Sequence, residues 1–122
     1  MAKNIDYNFK RGDTQVLKKF KLLDANKQEV ILTASEELYF TVKKNTKTLA
    51  YLLQKKLGEG IELGDDGYYH ITIDPQDTNS LDYGEYVYDI ELKSVQNNNV
   101  FVRTFLEGTI TLEDEVTWGG NE

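Results

Sequence analysis

Apolar and polar residues alternate along this chain in short runs, and turn residues separate the runs. The clearest run has Leu38, Phe40 and Val42 on one face and Tyr39, Thr41 and Lys43 on the other. Period two over that length predicts a strand with one buried face. Tyr69, Ile71 and Ile73 alternate in the same way with Tyr68, His70 and Thr72. Tyr86, Tyr88, Ile90 and Leu92 do so again over 85–93, and residues 100–112 follow as a long strand. Residues 5–9 form a first short strand, and 15–23 a second with Val16, Phe20 and Leu22 on one face. A short apolar piece at 30–32 leads into a polar stretch at 33–37. Residues 49–57 are ambiguous. Leu49, Leu52, Leu53 and Leu57 sit at helical spacing, yet Gly58 and Gly60 follow at once, and a strand is the preferred reading.

Turn signals punctuate these runs. Arg11-Gly12-Asp13, Asp24-Ala25-Asn26-Lys27 and Gly64-Asp65-Asp66-Gly67 read as turns. Pro75 ends the third alternating strand by removing an amide donor. Asn97-Asn98-Asn99 marks a hairpin loop, because asparagine tolerates positive φ. Gly108 inside the last long run predicts a bulge or bend. Seven to eight short strands with regular turns predict an all-β fold, an immunoglobulin-like Greek-key β-sandwich. It spans 1–122 as one domain, with its core over 5–117 and a frayed tail at 118–122. Leu81, Gly84 and Tyr86 precede a strand after a long connection. They form a tyrosine-corner candidate, in which the phenol bonds back to the upstream backbone.

Composition supports the strand reading. Thr, Val and Ile number 26, against four Ala. The 122 residues suffice for one core. With no cysteine, that core and backbone hydrogen bonds must hold the fold. Fourteen Lys and Arg against 21 Asp and Glu leave a net charge of −7, which argues against nucleic acid as a partner. No signal peptide or membrane-length apolar run is visible, so assembly in a cytoplasm and no membrane partner are expected.

Candidate chemistry is sparse. His70 is the only histidine, which leaves neither a zinc ligand set nor a nucleophile–base pair. Asp65, Asp66, Asp74 and Asp77 lie near loop ends but lack the spacing of a calcium loop, and read as solvated turn acids. No facing carboxylates across a cleft are evident for glycoside hydrolysis. Gly58, Gly60, Gly64 and Gly67 are too widely spaced for a phosphate loop. Arg11-Gly12-Asp13 matches the tripeptide read by integrins, but three residues are a weak signal, and a turn with Asp13 or Thr14 bonding its own backbone is the preferred reading. No catalytic, cofactor-binding or metal residue is assigned, no cofactor is expected, and nothing calls for a small-molecule ligand. Tyr39, Tyr68, Tyr83 and Trp118 are candidate binding-surface aromatics, for sugars or proteins.

Four stretches in succession resemble a known family. They are 9–14 (Phe-Lys-Arg-Gly-Asp-Thr) with the strand leading to Leu22-Leu23-Asp24, then 67–78 from Gly67-Tyr68-Tyr69 through Asp74-Pro75 to Thr78. Next come 81–92, opening Leu81-Asp82-Tyr83-Gly84-Glu85-Tyr86, and 103–112, closed by Glu115-Val116-Thr117. Their order is similar to the small immunoglobulin-like structural proteins of tailed phages and prophages, and to the N-terminal domain of some phage baseplate upper proteins. The resemblance covers 5–117 and implies a virion role in the tail, baseplate or neck. It implies contacts with other phage structural proteins or self-association, and no catalysis. The long C-terminal extension that baseplate upper proteins carry is missing from this sequence, which favours a small standalone module. Exposed strand edges would serve such contacts, with residues 5–9 and 100–112 as candidates. The alternative is a non-enzymatic binding module for carbohydrate or host protein, including a host-directed factor outside the virion. A small hydrolase is the least supported rival.

Overall fold

In the computed structural model, residues 3–23, 26–28, 32, 36–48, 50–96 and 98–113 are described. The fold is all-β. The elements are β1 (Lys3–Asn4), β2 (Tyr7–Lys10), β3 (Gln15–Val16), β4 (Glu36–Lys43), β5 (Leu53–Leu57), β6 (Gly60–Leu63), β7 (Tyr69–Ile73), α1 (Pro75–Thr78), β8 (Gly84–Gln96) and β9 (Asn99–Glu113). They form one mixed nine-stranded sheet, nearly closed into a barrel. Its order is β1-β9-β8-β4-β5-β6-β7-β3, with β2 also on β9.

The long antiparallel β8–β9 pair runs from Gly84↔Leu112 to Gln96↔Asn99. β4 lies antiparallel on its other side, from Glu36↔Ser94 to Lys43↔Val87. β1 and β2 run parallel to β9 and cover it from Leu106 to Glu113. The chain changes course between β5 and β6, where only Lys56↔Gly60 and Leu57↔Ile61 pair, in parallel. β6, β7 and β3 then close the far side, and Phe20 bridges Tyr69 beyond β3.

The alternating strands bury the faces that the pattern indicates. Leu38, Phe40 and Val42, then Tyr69, Ile71 and Ile73, then Tyr86, Tyr88 and Ile90 all enter one core. Phe9, Leu17, Leu22, Ile61, Leu106, Ile110 and Leu112 complete it among the described residues. Each such aliphatic or aromatic side chain gains about 1.5–3 kcal/mol from burial. The ambiguous 49–57 segment is strand over Leu53–Leu57, while Leu49 lies outside the described residues.

Three expectations need correction. Residues 15–23 are not one strand, since β3 stops at Val16. Val16 is 62% exposed and Leu17 only 3%, because Leu17, not Val16, turns to the core beside β7, its amide bonded to Ile71 O at 3.0 Å. Pro75 does more than end β7, for it opens the helical turn α1. A proline suits the first helical position, where its missing N–H costs nothing. Asp77 accepts the Asp74 amide at 2.7 Å and also meets Lys55 Nζ at 2.9 Å, in a pair whose side chains are 15% and 10% exposed. That ion pair ties α1 to β5, and Lys55 in turn crosses Gly60 so closely that a Cβ there would sit 2.6 Å from its Cδ.

Gly108 is the third. The bulge in β9 lies not there but at Phe105, which the register skips between Ile90↔Leu106 and Glu91↔Thr104. Gly108 is required instead by close approach, because a Cβ would run into the Ile5 carbonyl where the chain passes between β1 and β2. Gly108→Ala is therefore expected to destabilise by about 1–3 kcal/mol, the usual cost of overpacking. In a thermal melt this is a drop of roughly 3–15 °C at this chain length. An unchanged midpoint would show that the N-terminal segment moves aside freely.

Candidate functional site

Tyr86 and Tyr88 show how the middle of β8 is tied down. Each buries its ring and sends its hydroxyl to a backbone carbonyl. Tyr86 Oη donates to Asp82 O, four residues upstream, at 2.7 Å. Gly84, at φ +135°, opens β8 within that span, and Leu81 packs partly buried against the core. Tyr88 Oη donates to Ile5 O at 2.6 Å, binding the N-terminal segment across the sheet. Burial holds both phenols above their ordinary values, most strongly that of Tyr88.

The Arg11-Gly12-Asp13 turn serves the same connection. Gly12 N donates to Thr78 Oγ1 at 2.8 Å, and Arg11 Nη1 donates to Leu81 O at 3.2 Å. The Arg11 guanidinium also lies 4.2 Å from the Tyr83 ring centre. These bonds engage Arg11 within the fold.

The candidate aromatics fall on separate elements. Tyr39 is half-buried on β4, where hydrogen bonding to the neighbouring Glu37 carboxylate holds its phenol above the ordinary value. Tyr68 precedes β7 under Lys19 and Lys21, whose Nζ atoms are 4.4 and 4.7 Å from its ring centre. Tyr83 lies in the α1–β8 connection beneath Arg11. Trp118 lies outside the described residues. Ring contacts among the described residues include Phe20–Tyr69 and Phe40–Tyr88.

Two shallow depressions mark the surface. One, of about 390 Å³, is lined by Lys18, Lys19 and Lys21 together with Phe20, Tyr68 and Leu106. The other, of about 360 Å³, lies on the sheet face over β4, β8 and β9 and includes Lys43, Asp89 and Glu107. Asp89 and Glu107 are directly opposed across the ladder. Burial and the nearby Glu91 raise the Asp89 carboxyl above its ordinary value. These two carboxylates share one sheet face and do not look at each other across a cleft, as glycoside hydrolysis requires.

Asp66, among the turn acids, is engaged as Asp77 is. Asp66 accepts from Tyr68 N at 3.0 Å and stands 3.2 Å from His70 Nε2 and 3.1 Å from Lys19 Nζ. His70 sits half-exposed on the outer face of β7. Among the described residues, no group of three or more His, Asp or Glu is placed to hold a metal ion.

Of the 100–112 stretch expected as an exposed edge, the part that fits is the far half of the β8–β9 hairpin. Beyond the bulge at Phe105, β9 pairs with β8 alone among the described residues, because β1 begins only opposite Leu106. Val100, Phe101 and Val102 are 57%, 54% and 56% exposed, and Val95 on β8 is 49% exposed. Val95 faces Val100 and Lys93 faces Val102 on one side of the ribbon, while Phe101 and Ser94 share the other. Of the two proposed edges, residues 7–10 pair with β9 on one side and end the sheet there, and 106–107 and 110–113 are paired on both sides. Among the described residues, 99–104 pair with β8 alone. The signal in the sequence was the consecutive apolar triplet at 100–102, which alternation leaves half outside whichever face is buried.

The chain matches no protein-family model and no curated protein.

The Asp66 cluster yields a pH expectation. The Tyr68 amide, then His70 and Lys19, holds this carboxyl well below the usual range. A depressed folded value means that the loop's added stability is present above the ordinary Asp value of about 3.9 and is lost as pH falls. Carboxyl ¹³C titration should place the Asp66 midpoint below those of the other exposed aspartates, and in Tyr68→Pro, which lacks the amide, it should rise toward theirs. An Asp66 midpoint in the ordinary range would remove the cluster.

Proposed function

We propose that this chain is an immunoglobulin-like β-sandwich domain that acts, without catalysis, as a structural or assembly component of a tailed phage or prophage particle, through protein–protein contacts. The observation that carries the contact reading is the exposed apolar half of the β8–β9 hairpin, with Val95, Val100, Phe101 and Val102 around half exposed. Isolated exposed apolar side chains are ordinary, but a contiguous group on one hairpin supports the reading of an interaction surface.

The immunoglobulin-like reading is supported by connectivity. β2 runs parallel to β9, and β9, β8, β4 and β5 follow as antiparallel neighbours. β6, β7 and β3 lie on the other side of the crossing at 56–61. The Tyr86–Asp82 bond after a long connection fits the tyrosine corner. The phage assignment rests on the succession of stretches at 9–14, 67–78, 81–92 and 103–112. Other phage structural proteins are the partners on this reading, and the virion is its destination.

A carbohydrate-binding module would use aromatic side chains on a common face. Tyr39, Tyr68 and Tyr83 instead stand on different elements, and Tyr68 and Tyr83 carry cations over their rings. The assembly reading therefore ranks first.

Mass spectrometry of particles induced from the source strain tests it, with copy number set against the major capsid protein. The expected result is a fixed, stoichiometric copy number. Its absence from otherwise well-covered particles would rule out a virion role.

A further inference from the structure

We infer that the open edge of β9, residues 99–104, pairs antiparallel with the same edge of a second copy of this chain, about a twofold axis through Phe101. The inference rests on the contact reading of the hairpin and names its partner.

An unpaired strand edge turns the N–H and C=O of every second residue outward, ready to bond another strand. Proteins usually blunt such edges with lysine, proline, a bulge or a covering segment. Here, among the described residues, the bulge at Phe105 and the covering strand β1 both begin where the open stretch ends. Residues 99–102 carry no charge and no proline. They belong to the longest uncharged run in the chain, the nine residues 94–102.

Charge selects the partner. Two molecules of net charge −7 repel one another at long range. The hairpin adds little to that repulsion, because its run 94–102 is uncharged and is flanked by Lys93 and Arg103. An edge that meets itself about a twofold axis must also be self-complementary. With Phe101 on the axis, Val100 of each copy opposes Val102 of the other, and Asn99 opposes Arg103. No like charges face each other. The valines of both copies, with Val95 behind each Val100, then join into one apolar stripe on one face. The two Phe101 rings meet on the other face. Cross-strand aromatic and β-branched pairs of this kind are the stabilising unit of a sheet. A register shifted to place Arg103 on the axis would set two guanidinium groups against each other.

The chain has no cysteine, so single-cysteine variants report the register directly. Directly opposed residues in an antiparallel ladder have Cα atoms about 4.5–5.5 Å apart, within disulfide reach of about 4.4–6.8 Å. Phe101→Cys is expected to form a disulfide-linked dimer under mild oxidation. Asn99→Cys, whose two copies would lie roughly 13 Å apart along the strands, is expected not to. Light scattering on the unmodified protein should show a concentration-dependent dimer. Val102→Lys should be monomeric, with its melting midpoint within about 2 °C of the parent, since the site is exposed. A parent that stays monomeric at its highest soluble concentration overturns the pairing, as does cross-linking through Asn99→Cys but not Phe101→Cys. The outcomes separate this inference from the particle reading. A monomer at fixed copy number in particles removes the pairing alone. A dimer absent from particles removes the virion role alone.

Discussion

The fold depends on the β8–β9 ladder. It is the longest pairing in the molecule, and every other part of the barrel is built outward from it: β4 on one side, β1 and β2 on the other. A hairpin this long has high intrinsic twist, and one residue must be taken up somewhere if both ends are to serve different purposes. Phe105 is that residue. On the barrel side of it, Leu106, Ile110 and Leu112 face the core. On the far side the in–out alternation of β9 is reversed relative to its sequence, so Val100 and Val102 turn to the outer face and Phe101 to the inner. The same bulge that lets the near half seal the core sends the far half past it.

Without disulfides, the N-terminal segment must be held by packing and hydrogen bonds alone. Two tyrosines on β8 supply much of this. Tyr88 packs its ring at a tilt against Tyr7 and Phe40 and donates to Ile5 O, while Gly108 leaves room for that carbonyl to approach. Tyr86 fixes the connection that delivers the chain into β8. Each buried phenol satisfies its hydroxyl at a carbonyl, so the polar end costs little while the ring contributes its full apolar area. Among the described residues no buried side-chain N or O lacks a partner.

How much of this was legible follows from what each signal measures. Period two reports a strand with one wet face. It identified β4, β7 and the first half of β8, and the buried members there are the expected ones. It failed at 15–23, where bonds from Leu17 and Phe20 to β7 come from a chain that is extended without forming a continuous ladder, and the inward side chain shifts from Val16 to Leu17. It could not foresee α1, because a four-residue helix is set by the Asp74–Asp77 cap and the Lys55 ion pair from a distant strand. Tyr86 was readable because its partner lies only four residues away. Tyr88 was not, because its partner is 83 residues distant.

The extent of the open edge, 99–104 within the expected 100–112, belongs to the second kind of information. Whether a strand is an edge depends on where its neighbours stop, and no local pattern encodes that. Val100-Phe101-Val102 in a central strand would be an unremarkable buried triplet with both faces covered. The same residues, beyond the reach of β1 among the described residues, are left about half exposed on an acidic molecule. Their retention there has a cost, since an uncharged edge invites indiscriminate pairing. The acidic body offsets it, for like-charged molecules meet less often, while the uncharged run 94–102 adds no charge repulsion of its own. Surface charge and strand edge thus act together: the charge keeps most encounters unproductive, and the edge decides which one is not.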